Sequence, residues 1–208
     1  MKKQFAMSIA LLSALSLPAL AQTVNQNPGT TPPVSQTELS PAARWENQQD
    51  RIAQGIKDGQ LTPSEAARLE GEESKLRQQA ARLKAANGGK LSPSDLAKLE
   101  REQNHLSRQI KNFDNNSKTY TTPRGEVGNR LENQQDRIAQ GIKSGQLTPG
   151  EAAKLEQKDA RISQEVRNER AANGGKLTNA ERAQVNRQEN RSSKQIYKDK
   201  HNKTKAPR

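Results

Sequence analysis

Apolar residues return at spacings of three and four along most of this chain. One series runs Leu96, Leu99, Gln103, Leu106, Ile110, Phe113, a heptad stripe with a single polar member. Upstream lies a second, Ala66, Leu69, Glu73, Leu76, Ala80, Leu83, and before it Trp45, Ile52 and Ile56. Such spacing places side chains on one face of a helix and not on one face of a strand. The pattern predicts helices over Pro41–Lys57, Pro63–Ala86 and Pro93–Phe113, each with a narrow apolar stripe.

The segments between these stripes read as helix stops and starts. In "DGQLTPSE", Gly59 suits the left-handed residue that ends a helix, Thr62 is an N-cap, Pro63 takes the first helical position, and Glu65 closes a capping box. The same cap residues recur as Gly89, Ser92 and Asp95, as Gly145, Thr148 and Glu151, and as Gly175, Thr178 and Glu181. Each cap is worth on the order of 1 kcal/mol.

The chain is also written twice. "ENQQDRIAQGIKDGQLTPSEAARLE" from Glu46 returns as "ENQQDRIAQGIKSGQLTPGEAAKLE" from Glu132, an offset of 86 residues. Repetition on this scale signals helical supersecondary units. The expected fold is all-α: two tandem three-helix units, helical hairpins or bundles, joined by a Gly/Pro linker. The divisions are a signal peptide at 1–21, a disordered Pro/Thr/Gln-rich leader at 22–40, unit 1 at 41–116, a linker at 117–129, unit 2 at 130–202 and a frayed basic tail at 203–208. In the last helix of unit 2, Leu96, Leu106 and Phe113 become Arg182, Ser192 and Asp199. That helix is expected to fray or to dock on something else. Glu73 and Asp159 interrupt the middle stripes and are read as stripe-edge carboxylates paired with Lys or Arg.

Composition narrows the class. "MKKQFAMSIALLSALSLPALA" has a basic start, a short apolar run and a small-residue site at its end, the three parts of a secretory signal. Nothing after it is apolar enough to span a bilayer, so a bacterial, exported chain is expected, in the periplasm or secreted. There is no cysteine, hence no disulfide or thiolate chemistry. Hydrophobic residues make up 30% of the chain, which argues for slender bundles in place of a thick core. The net charge is +12, and Asn186 to Arg208 holds eight Lys or Arg against two acids. Basicity is therefore local.

These residues offer three kinds of chemistry. The basic end offers Arg187, Arg191, Lys194, Lys198, Lys200, Lys203 and Lys205 to phosphates or sulfates by counterion release; lipopolysaccharide, acidic polysaccharide and extracellular DNA are the polyanions an exported protein meets. The stripe from Leu96 to Phe113 could serve a partner protein or a homo-oligomeric coiled coil. The turn "GQLTPSE" matches the second half of an EF-hand loop, with Asp58, Glu65 and Glu151 as the only candidate calcium ligands. The first half fails: Gln54 and Ile56 stand where calcium needs oxygen donors. An EF-hand-like calcium protein with degenerate loops is thus the alternative, and no cofactor is otherwise called for. His105 and His201 lack metal-ligand spacing, no hydrolase, P-loop or dinucleotide motif occurs, and a non-enzymatic role is expected.

The pattern R-I-x-x-G-I-x-x-G-x-L-T-x-x-E-A-x-x-L, at Arg51–Leu69 and Arg137–Leu155, resembles helical repeats of uncharacterised exported bacterial proteins that are small and basic. The resemblance implies an exported, Gram-negative setting and brings no activity, cofactor or catalytic residue with it.

Overall fold

The computed structural model describes residues 40–116 and 119–206, all within one compact unit, Val34–Arg208. The expected signal peptide and almost all of the leader lie outside the described residues. The fold is all-α. Six helices follow in order: α1 Pro41–Lys57, α2 Pro63–Ala86, α3 Pro93–Asp114, α4 Glu126–Lys143, α5 Pro149–Ala172 and α6 Asn179–His201. No helix of the described residues is long and apolar enough to cross a membrane.

Cap chemistry sets the boundaries. Thr62, Ser92, Thr148 and Thr178 each accept from the backbone N–H three residues on, and each capping box closes. Gly59 and Gly145 sit at φ 67° and 68° where α1 and α4 stop, a conformation that costs other residues. The Leu61 N–H then donates back to the Gly55 carbonyl at 2.9 Å, and Leu147 to Gly141 at 3.0 Å. Leu61 and Leu147 are fully buried. This return requires Gly55 and Gly141: a Cβ there would stand 2.8 Å from the Leu61 Cγ and 2.7 Å from the Leu147 Cγ.

Each copy contributes three helices, and like pairs with like: α1 packs on α4 and α2 on α5, while α3 and α6 flank their own copies. A single apolar cluster runs through both copies, with Ile52, Ile56, Leu69, Leu106 and Ile110 from the first and Ile138, Ile142, Leu155 and Ile196 from the second. A smaller cluster of Val127, Leu131, Ile162, Val166, Leu177 and Val185 closes the far end of the second copy. Facing equivalent residues, as in an isologous dimer, doubles the depth of a core that neither thin stripe would provide alone.

Three expectations are corrected. The linker ends sooner, because α4 begins at Glu126; Gly128 is inside it, where a Cβ would overlap the Pro123 carbonyl. Helix α6 does not fray: Val185, Glu189, Ser192 and Ile196 are buried along its length. The final segment docks through Ala206, whose N–H donates to the Gly145 carbonyl at 3.0 Å, repeating the Tyr120 to Gly59 bond of the first copy at 2.8 Å.

Candidate polyanion interface and the buried carboxylates

Helix α6 divides its charges by direction. Its two acids beyond the first turn point inward: Glu189 is fully buried beside Arg130 at 3.0 Å, and Asp199 is buried and accepts from Gln195 at 2.7 Å. Arg187, Arg191, Lys194 and Lys198 are exposed. Their spacing of four, three and four places them in one stripe. Lys203 and Lys205 continue the exposed charge, with Lys205 Nζ donating to the Lys200 carbonyl at 2.9 Å. Tyr197, 61% exposed, stacks on His201 with ring centroids 4.1 Å apart.

Lys200 does not belong to this face. It is buried, and its Nζ donates to the Arg137 carbonyl at 3.3 Å and to Gln140 Oε1 at 2.9 Å. Burial lowers its pKa. The ammonium fastens α6 to α4.

A groove between α5 and α6 extends the cationic surface, with Lys158 and Arg161 on one wall and Arg191 on the other. Its carboxylate, Glu165, accepts from Gln184 and Gln188. In the first copy Lys158 is replaced by Glu72, which pairs with Arg68 at 3.1 Å and accepts from Gln109. The cationic groove therefore belongs to the second copy.

Glu73 and Asp159, expected at the stripe edges, belong to a buried set of acids whose other members the sequence reading did not single out. Glu70 and Glu73 on α2, and their counterparts Glu156 and Asp159 on α5, are all fully buried. One glutamine of each copy serves its own pair: Gln49 Nε2 donates to both oxygens of Glu70 at 3.1 Å and to Glu73 Oε2 at 2.8 Å, and Gln135 Nε2 donates to Glu156 and Asp159 at 3.0 Å each. Glu73 has its expected cation, Arg77 at 2.7 Å, which also lies over the Trp45 ring at 5.0 Å. Asp159 instead accepts from Ser192 at 2.9 Å, and position 163, where the first copy has Arg77, is a serine bonded to Tyr120 at 2.8 Å. Burial pushes all four carboxyls up: Glu70 and Glu156 well above the usual range, Glu73 less because Arg77 opposes the shift, and Asp159 to about 6. The charge of Glu70 is felt at Glu156 across the α2–α5 contact. The signal for this layer was the recurrence of Gln49 and Glu70 in the second copy, on the flank beside the acid that interrupts each middle stripe.

The turn residues proposed for calcium are otherwise engaged. Glu65 Oε2 accepts from the Thr62 N–H and hydroxyl while Oε1 accepts from Asn116; Glu151 repeats this with Thr148 and Asn202. Asp58 accepts from Gln54. Among the described residues no group of three or more His, Cys, Asp or Glu is placed to hold a metal ion. The Leu96–Phe113 stripe is likewise engaged, because Leu99, Gln103, Leu106 and Ile110 are buried within the chain.

No protein-family model, no curated protein and no solved structure matches this chain.

Proposed function

We propose that this is a non-enzymatic, exported helical-repeat protein that binds polyanions through the outer face of α6. The observation that carries the reading is the sorting of charge on that helix. Glu189 and Asp199 are buried with partners, so Arg187, Arg191, Lys194 and Lys198 face solvent as an uninterrupted cationic stripe. Lys158 and Arg161 widen it, and the Tyr197–His201 stack gives it one aromatic surface. The rest of the molecule holds this face rigid, with α6 fastened to α4 by Lys200 and Arg130. Export rests on the signal-like start and on the repeat resemblance. Lipopolysaccharide, acidic polysaccharide and extracellular DNA are the partners of matching charge.

The test is binding of the full chain to a labelled single-stranded oligodeoxynucleotide across a salt series. With four contacts and a slope near 0.7 per contact, affinity should fall about 50-fold between roughly 50 and 200 mM salt. Replacing Arg187, Arg191, Lys194 and Lys198 by Gln should remove most of the binding and most of the slope. Binding that ignores salt, or survives the fourfold variant unchanged, refutes the reading. Parallel titrations with lipopolysaccharide and an acidic polysaccharide rank the partners.

A further inference from the structure

At the end of the second copy away from Lys200's contacts with α4's last turns, a cleft of ≈ 200 Å³ opens between the start of α4, the end of α5 and the start of α6. We propose that it is a binding site for a tetrahedral oxyanion, a phosphate or sulfate group. This inference uses none of the residues of the polyanion face and stands independently of it.

Four cations line the cleft: Arg124 before α4, Arg170 on α5, Lys176 in the turn and Arg182 on α6. Glu126 is its one carboxylate, so the lining carries a clear positive excess. None of the four cations pairs with a carboxylate among the described residues. The nearest competitor in sequence, Glu181, is occupied by the Thr178 N–H and Asn173. Arg170 is held in place, its Nη2 donating to the Arg124 carbonyl at 2.8 Å, while its Nε is shielded from solvent and has no hydrogen-bond partner. The guanidinium is anchored by one arm, and its other terminal nitrogen has no partner among the described residues, which suits a ligand oxygen.

The backbone contributes as well. Gly125, φ 88°, precedes the first residue of α4 and gives it no side-chain cap, and Gly125, Glu126 and Val127 border the cleft. The unmet N–H groups of a first turn, together with the helix dipole, favour an anion. The volume is ample for one phosphate and ordered water, at ~30 Å³ per water.

Comparison of the copies argues that this is a built feature. Eighty-six residues earlier, Arg182 is Leu96, and Glu126 is Ser40, whose hydroxyl caps α1 by accepting from the Ala43 N–H. The first copy thus fills the helix start with a side chain and puts an apolar residue where the second puts a guanidinium. Lys84 and Lys90 stand at the positions of Arg170 and Lys176, so two of the four cations are common to both copies, while the open cap, Arg124 (Glu38 in the first copy) and Arg182 are particular to the second.

The test is an amide chemical-shift titration of the full chain with inorganic phosphate at low ionic strength, with acetate as the control for charge alone. Saturable shifts at the amides of 126–128, weakened about tenfold or more by Arg182→Leu and by Arg170→Gln, are expected. The α6 variant lacking Arg187, Arg191, Lys194 and Lys198 should titrate like the parent. Glucose 1-phosphate in place of phosphate separates the sources: equal affinity points to the free ion, tighter binding to a phosphate carried on a sugar. Because Arg182→Leu restores the residue of the first copy, it should fold, and the wild-type titration locates the site without any variant. Shifts that do not saturate, that match those with acetate, or that centre on the α6 face overturn the proposal.

Discussion

The buried acids make the fold's stability depend on pH in the reverse of the usual sense, and Asp159 gives the sharpest case. Its carboxyl is held at about 6 against an ordinary value of 3.8, chiefly by burial, with the Ser192 and Gln135 hydrogen bonds opposing the shift. A folded-state value above the unfolded one means that the native state binds the proton more tightly. The contribution is full below the ordinary value and is lost as pH rises through about 6. A rise from 3.8 to about 6 corresponds to about 3 kcal/mol. Glu189, pushed up to about 7 mainly by burial against the pull of Arg130, acts in the same direction, as do Glu70 and Glu156. The wild-type protein should therefore be more stable at about pH 5 than at about pH 8, measured by urea unfolding followed by circular dichroism. In Asp159→Asn the difference should shrink by roughly 1–1.5 kcal/mol, because only the part of the Asp159 linkage lost above pH 5 falls inside that window; at ~2–4 °C per kcal/mol for this chain length, the shift in Tm is of order 2–6 °C. A parent whose stability is flat or rises from pH 5 to pH 8, or a variant with the parent's slope, would refute the reasoning.

Three further outcomes follow from the packing. Gly55→Ala and Gly141→Ala should each cost about 1–3 kcal/mol in chemical denaturation, because the new methyl meets Leu61 or Leu147 well inside contact distance. Arg77→Met should cost about 3–5 kcal/mol at neutral pH and much less at about pH 4, since it strips the cation from a buried Glu73; an equal loss at both pH values would show that Arg77 acts through packing on Trp45 alone. Lys200→Met should lower stability by about 1–2 kcal/mol while leaving oligonucleotide affinity unchanged, which separates the structural lysine from the exposed stripe.

How much of this was legible follows from the physics of each element. Helix ends were readable because cap chemistry is local: Thr62, Pro63 and Glu65 specify a start regardless of what lies beyond, and α1 and α2 run between the residues that the caps mark. Packing between the copies was not readable, because a single stripe does not say which neighbour covers it. Ala67 and Glu70 sit beside the stripe of α2 and are nonetheless buried, in a helix whose main neighbour is α5 of the other copy. For the same reason the carboxylate layer was invisible: a glutamate on a helix flank looks solvated until the opposing helix arrives with Gln49 or Gln135. Lys200 was misread because charge counting along a segment ignores direction, and its neighbours on the helix do face solvent.

The divergence of α6 from α3 is best understood as redistribution of polarity. Read as a stripe, Arg182, Ser192 and Asp199 in place of Leu96, Leu106 and Phe113 look like decay. In the fold each has a use. Ser192 gives the buried Asp159 the hydrogen bond that Glu73 draws from Arg77 in the other copy. Asp199 turns inward to Gln195 and so removes an acid from the outer face. Arg182 faces the cleft at the start of α4, where Leu96 occupies the matching position of the first copy. A core shared between two copies tolerates these changes, because the apolar burial lost from one helix is carried by the cluster common to both. Duplication thus supplies the stability, and the second copy supplies the charge.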